Sequence, residues 1–479
     1  MSAVPAQKDR LGFDLSTASA AAAAQYQTGV DLYMSGHAGA EPALQGAMAA
    51  DPGFALAPAA LVALLRDTGR NDDARRYADQ ARALAERLPP RERQHVEALA
   101  LMAQDQGDDA FALMRRHLAE FPRDALILLR ADRHVFYSGG EDRQRKQLDL
   151  LAAFANDYDD DWWFPGQYGF ALGECGHYEQ AVALAERSLA LNPKNVWAAH
   201  TLAHVYADTK DDARGAAFLG PWLGACDPRA PMLGHASWHL ALFELGRGRY
   251  REAMRIYDDR VCPAACRHRS TLNNSASFLW RCMTYGYAAP QAKWDALQDL
   301  ALGIAGRCRA EWDDMNAALA LAGAGNQAGH AKLVAALHAL DAKGHATAGA
   351  VGLPLTLGAW AFAQRDYEGA IRHMAPAIER IAAVGGSNAQ HEVFWDALIE
   401  AYLRTGRFAE AEALQRRRFD PQPTARDHLR LARALRGAGR RDEAAQSLRR
   451  AAAGWTDADP DSPEAAAVHD LLSETAPAH

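Results

Sequence analysis

The sequence predicts an all-α fold, a superhelix of antiparallel helix pairs. Three observations predict it. A short turn signature recurs along the 479 residues: Gly, any residue, an aromatic or polar residue, two more, then Ala. Alanine, leucine and arginine dominate, all good helix formers, and no stretch shows sustained β-alternation. Prolines stand where second helices should stop, at Pro89, Pro122, Pro193 and Pro421.

The signature reads GRNDDA (69–74), GHYEQA (176–181), GRYREA (248–253), GRFAEA (406–411) and GRRDEA (439–444), with RDYEGA (365–370) as a variant lacking the leading Gly. It has the form of the turn between helix A and helix B of a tetratricopeptide-like repeat. Gly ends helix A where a positive φ is needed. The aromatic packs back on helix A, and the small Ala lets the next helix approach. Such repeats have a period of about 34 residues. Ala181 and Ala253 are 72 apart, near two periods, and Ala411 and Ala444 are 33 apart. The prediction is a right-handed tetratricopeptide-like solenoid over 16–476, after an N-terminal tail at 1–15. Residues 16–261 are N-terminal repeats with paired histidines, 262–352 an irregular helical middle, and 353–476 C-terminal repeats, one continuous solenoid. Within the middle, helices are expected near 271–285, 311–321 and 331–342.

Bulk properties exclude several classes. The hydrophobic fraction of 49% and charged fraction of 23% are ordinary for a globular chain. A net charge of −8 gives no electrostatic footprint for nucleic acid. The short clusters Arg416–Arg418 and Arg440–Arg441 read as solvated helix faces. The N-terminal residues show no apolar h-region, and the run Ala18–Ala24 is too short for a membrane span. Six cysteines scattered over this length do not form a disulfide framework. The expectation is a cytoplasmic protein with neither nucleic-acid nor membrane partners.

Chemistry is hinted at by two histidine pairs. His200 and His204 lie in WAAHTLAH, and His235 and His239 in HASWHLAL. Spacing i, i+4 puts each pair on one helix face. Asn195 marks a helix start before the first pair. Imidazole suits zinc, copper, nickel or iron. Two such helices on successive repeats predict four imidazoles around one interior cavity, as ligands of a transition metal or as acid–base groups. The same residues also suit interhelical packing beside Trp197 and Trp238. No HExxH is present, which excludes a standard zincin.

A second feature is GGSNAQH, 385–391. Two glycines free the backbone, and Ser387 or Asn388 suits a helix cap. The crowding of Ser387, Asn388, Gln390 and His391 also suits ligand binding, with Asn274 and Asn316 as further polar candidates. His391, Asn388 and Asn316 are expected in the enclosure of the histidine pairs. Cys262-x3-Cys266-x-His268 lacks a CxxC knuckle and a fourth ligand. The acidic run 156–161 does not match an EF-hand loop. Gly323-Ala-Gly325 follows no strand, so it is not a dinucleotide loop. No P-loop or GxSxG elbow appears.

Several strings resemble the tetratricopeptide repeat protein 38 family: LSTAS (15–19), ADP (50–52), RERQHVEAL (91–99), FALGECGHYEQA (170–181), LALNPKNVWAAHTLAH, HASWHLALFELGRGRYREAMRIYDD, VGLPL (351–355) and GGSNAQHEVF (385–394). The resemblance covers most of the chain. It implies a helical-repeat superhelix and little about activity. Members of that family usually carry Arg where this chain has His391, histidine around Asp132 and Asn316, and Asp near Asn274. The four paired histidines remain, which suits a changed ligand.

Two functions compete. One is a binding protein that holds a small molecule or peptide in the concave interior, with Trp162, Trp163, Trp197, Trp238, Trp280, Trp312 and Trp395 as an aromatic lining. The other is an enzyme acting on a small molecule there. In it His200, His204, His235, His239 and His391 are catalytic candidates, either as metal ligands that activate water or as general bases. With unperturbed imidazoles, metal binding should weaken below roughly pH 6.

Overall fold

The computed structural model describes residues 7–474 apart from 139, 267, 269 and 421. Pro421, residues 1–6 of the predicted tail and residues 475–476 of the predicted solenoid lie outside the described residues. The chain divides into two compact units. The first holds 7–138, 142–202 and 226–233; the second holds 140–141, 203–225 and 234–474.

The first unit opens on two short antiparallel strands, β1 (Gln7–Lys8) and β2 (Asp14–Leu15), with Gln7 opposite Leu15. Five helix pairs follow. They are α1 (Ala20–Ser35) with α2 (Ala40–Ala50), α3 (Leu56–Asp67) with α4 (Asn71–Ala85), and α5 (Pro90–Ala103) with α6 (Gly107–Glu120). Then come α7 (Ala125–Tyr137) with α8 (Arg143–Ala152) and α9 (Phe164–Glu174) with α10 (Tyr178–Leu191). Helix α11 (Val196–Asp208) starts, as expected, directly after Asn195. It gives its first half to this unit and its second half to the other.

The second unit continues with α12 (Asp212–Gly224), α13 (Leu233–Gly246) and α14 (Tyr250–Ile256), the last running into a π-helical turn over Tyr257–Val261. Next are α15 (Thr271–Thr284), α16 (Gln291–Asp295), α17 (Gln298–Ala305), α18 (Trp312–Gly323) and α19 (Gln327–Ala342). Three pairs and a final helix close it: α20 (Leu353–Ala363) with α21 (Tyr367–Met374), α22 (Asn388–Arg404) with α23 (Phe408–Arg417), α24 (Ala425–Gly437) with α25 (Arg441–Gly454), and α26 (Pro463–Ser473). The fold is all-α and built of tetratricopeptide-like helix pairs. Among the described residues β1 and β2 are the only strands.

The turns explain why the chain folds this way. Gly69, Gly176, Gly248, Gly406 and Gly439 take φ of 76°, 84°, 74°, 74° and 80°, the left-handed conformation that ends a helix at low strain. In the variant copy Arg365 takes φ 61° in the same role. The alanine five positions on is buried in each copy, at Ala74, Ala181, Ala253, Ala370, Ala411 and Ala444. Helices α4, α6 and α10 stop a few residues short of Pro89, Pro122 and Pro193. Leu in place of Ala181 is expected to overpack the α9–α10 contact, where Gly169 already lies close to the Ala181 carbonyl. The expected loss is about 1–3 kcal/mol in chemical denaturation, and an unchanged midpoint would misplace that contact.

Two elements of the middle, α16 and α17, escape the sequence pattern. Helix α19 begins at Gln327 because Asn326 caps it, its side chain accepting from Gly329 N at 2.8 Å. The arginine clusters meet acids on exposed faces: Arg416 and Arg440 both lie 2.8 Å from Glu412. The described part of the N-terminal segment is held down. Leu15 is buried, and Arg10 pairs with Asp31 and Asp161.

Candidate functional site

In the second unit three of the paired histidines come together. His204 stands on α11, and His235 and His239 stand one turn apart on α13. One ligand nitrogen from each lies within 4.8 Å of the others. The ring centroids of His204 and His239 are 4.7 Å apart, and those of His235 and His239 are 5.1 Å apart. His204 and His239 are buried, and His235 is half-buried. His200, one turn before His204 on the same helix, belongs to the first unit. There it stacks on Phe170 and stands edge-on to Trp197.

Burial keeps His235 and His239 neutral. Desolvation pushes His235 down to about 4, against the opposing effect of its hydrogen bond to Asn274. His239 is held well below the usual imidazole range by burial, then by the charges of His204, His235 and Arg281. Asn274 on α15 also orients the ring of His235. Its Nδ2 donates to Ser270 Oγ at 3.3 Å, which turns Oδ1 toward His235 Nδ1 at 2.9 Å. An amide oxygen only accepts, so Nδ1 carries the ring proton and Nε2 carries the lone pair. Trp238 stacks on His235, the ring centroids 5.4 Å apart at 13°.

The other predicted residues lie around α18 and α22. Ser387 and Gln390 form a capping box on α22, with Gln390 Oε1 accepting from Ser387 N at 2.9 Å. Ser387 Oγ and Gln390 Oε1 are taken up in that cap. Asn388 reaches the C-terminal end of α11, donating to Asp208 at 3.3 Å. His391 Nε2 donates to the Gly385 carbonyl at 2.7 Å, and its ring stands edge-on to Trp312. Gly386, at φ 85°, is required there, because a Cβ would meet Trp312 at 2.8 Å and His391 Nε2 at 3.0 Å. Asn316 on α18 is buried and donates to the Trp312 carbonyl at 2.9 Å. Trp197 is half-buried beneath the Arg133 guanidinium, 4.1 Å from the ring centroid. The expected aromatic lining needs correction: Trp163, Trp238, Trp280 and Trp312 are buried core residues, not an open groove. The weak Cys262–Cys266–His268 trio is engaged separately, Cys262 Sγ with the Asp258 carbonyl and His268 with Ser270.

No family model matches the chain. Among solved structures it is similar to a tetratricopeptide repeat protein from Parabacteroides merdae, at 14% identity over 58% of this chain and 97% of that one, with a TM-score of 0.30. It is also similar to yeast Tom70, at 14% identity over 95% of each chain, with a TM-score of 0.34. Superpositions at these scores carry no argument. The tetratricopeptide-like reading stands on the helix pairs and their left-handed turns.

Sequence reasoning missed a second cluster, inside the first unit. His95 on α5, His117 on α6 and Asp124 at the start of α7 are all buried. Asp124 Oδ2 accepts from His95 Nδ1 at 2.9 Å, His117 Nε2 at 3.1 Å and Arg91 Nη1 at 3.2 Å. A guanidinium on that oxygen already supplies the cation, so the arrangement is an ion-paired network rather than a metal centre. The string RERQHVEAL held the signal: Arg91, Glu92 and His95 fall on the first turns of one helix. No helix of the described residues is long and apolar enough to cross a membrane.

Proposed function

We propose that this is a metal-binding helical-repeat protein. Its second unit holds a divalent transition-metal ion on the imidazole nitrogens of His204, His235 and His239. The observation that carries the reading is the gathering of three imidazole nitrogens within 4.8 Å of one another. Two features support it. Ligation needs neutral imidazole, and burial keeps His235 and His239 neutral. A ligating histidine typically donates its other N–H to an oxygen, as His235 does to Asn274. An all-imidazole set suits zinc, copper or nickel rather than magnesium or calcium.

With three protein nitrogens, a bound ion keeps an open position for water or for a group of a small molecule. This joins the two functions that competed in the sequence: the interior ligand meets the metal, and turnover at that position would make the protein an enzyme. We further infer kinship with the tetratricopeptide repeat protein 38 family, on the strings quoted above. We place the protein in the cytoplasm. Its six cysteines stand as free thiols, which fits a reducing compartment.

The test is metal analysis of protein purified without an affinity tag, with cobalt(II) titration followed by visible absorption. Wild type should bind one ion per chain with an imidazole-ligated cobalt spectrum. His204→Ala and His239→Ala should each abolish stoichiometric binding with helical circular dichroism unchanged, since neighbouring repeats supply the stability. Wild type that takes up no ion, or variants that keep it, would overturn the reading. A fall in thermal stability alone would assign these rings to packing.

A further inference from the structure

Arg281 on α15 is only 4% exposed, and among the described residues no carboxylate pairs with it. Other buried arginines do have acids. Arg130 lies 2.8 Å from Asp67, and Arg430 lies 2.6 Å from Asp396. Arg91 has both Glu92 and Asp124. The Arg281 guanidinium instead donates to neutral carbonyls: Ser277 O at 3.3 Å and, on the first turn of α22, Ala389 O at 2.8 Å. Carbonyl dipoles orient a guanidinium but leave its charge uncompensated, and an uncompensated buried charge is costly.

A second donor lies against it. The Arg281 carbon sits 5.7 Å from the Trp238 ring centroid. Trp238 is fully buried, and its indole N–H has no acceptor among the described residues. Indole nitrogen only donates, so it too requires an acceptor. Both groups adjoin the histidine cluster: Trp238 precedes His239 in sequence, with ring centroids 4.7 Å apart. A buried guanidinium with no carboxylate beside it and a buried indole N–H with no acceptor demand the same chemistry.

We propose that Arg281, together with the indole N–H of Trp238, receives the oxyanion of a small ligand, a carboxylate or phosphate group, beside the histidine cluster. Guanidinium matches both oxyanions bidentately. The inference goes beyond the metal reading, because its two donors are there with or without an ion. A metal would add positive charge and strengthen the demand.

The experiment is calorimetric titration with inorganic phosphate and, separately, succinate. Chelator-treated and zinc-loaded wild type are both used. One of the two anions should bind saturably at one per chain, and which one does separates phosphate from carboxylate chemistry. Arg281→Gln should weaken that binding about tenfold or more, the worth of a charged hydrogen bond. Arg281→Lys should recover part of it, and Trp238→Phe, which keeps the ring and deletes the N–H, should weaken it several-fold. Zinc content should be unchanged in all three variants. The proposal is overturned if neither anion binds wild type at up to about 10 mM, weaker than ordinary specific sites, or if Arg281→Gln and Trp238→Phe both bind as wild type. Should Arg281→Gln fail to fold, Trp238→Phe decides. Anion binding without zinc binding would sink the metal reading and leave this one standing.

Discussion

Asp124→Ala is expected to lower the stability of the first unit by about 3–5 kcal/mol, the range for stranding buried charge by removing its partner. Three donors converge on Asp124 Oδ2, from His95, His117 and Arg91. The other oxygen caps α7, accepting from Ile127 N at 3.4 Å. Alanine removes the cap, leaves the His95 and His117 donors without their acceptor, and leaves Arg91 with Glu92 as its one carboxylate. The effect should spread to the N-terminal strands, since Arg91 donates to the Asp14 carbonyl at 3.0 Å and Glu92 accepts from Ser16 N at 2.9 Å. Its pH dependence has a definite sign. Burial by itself would raise the Asp124 carboxyl, but His95 and His117 overcome it and hold the group well below the usual range. A carboxyl depressed on folding contributes stability that is full above its unfolded value of about 3.9 and is lost as pH falls through its folded value. The gap between wild type and Asp124→Ala should therefore be full at pH 7 and close only in strong acid. Hydrogen exchange over α5–α7 reads it locally, because two compact units need not unfold in one step. A loss under about 1 kcal/mol there would reduce the network to an ordinary neutral hydrogen bond.

The helix pairs are legible because a left-handed turn leaves a residue-type trace. Glycine at φ 74–84° followed five positions later by a buried alanine is a pattern that spacing alone detects. The same turn without glycine is legible only where the rest of the signature holds, as in RDYEGA at Arg365. Asp105 and Lys210 adopt φ 61° and 57°, and five positions on stand Ala110 and Gly215, both buried. Gly325, the last residue of Gly323-Ala-Gly325, makes this turn at φ 67° with His330 in the alanine's place. Packing there overrides the residue preference that the signature relies on. At the site, the i, i+4 pairs announce His204, His235 and His239, since one helix face is a local property. Asn274 is a polar candidate in the sequence, but its role in fixing the His235 tautomer depends on Ser270 and on the α13–α15 contact, which are tertiary. Arg281 gives no sequence signal, because an arginine is distinguished only by what it fails to meet. His95, His117 and Asp124 come from three helices, and no motif links them.

Metal ligation by His235 and His239 is expected to persist at pH 5 and to be lost as pH falls toward 4, well below the pH 6 threshold that free imidazoles suggest. Protons and metal compete for the same nitrogens, so competition begins only where the metal-free site titrates. His235 is pushed down to about 4, chiefly by burial, and His239 lies well below its usual range for the same reason. His235 is therefore still neutral at pH 5, and the shift of His239 runs in the same direction. The same depression fixes the sign for stability. A histidine whose folded value lies below its unfolded value contributes no penalty above about 6.5, and the metal-free protein loses stability as pH falls from there toward 4, since the unfolded chain takes up the protons first. Acid should thus weaken the metal-free fold before it weakens ligation, and bound metal should shift thermal unfolding upward most strongly between those two pH values. Asn274→Leu separates orientation from neutrality. It removes the acceptor that holds the proton on His235 Nδ1, and losses of such an outer hydrogen bond typically lower metal affinity about 10–100-fold. The Asn274 hydrogen bond also raises the His235 value, so its loss should move the acid limb no higher. Competitive zinc titrations from pH 7 to pH 4 on wild type and Asn274→Leu read both effects. Loss of zinc near pH 6 in wild type would mean that the rings are open to water and that burial does not set their chemistry.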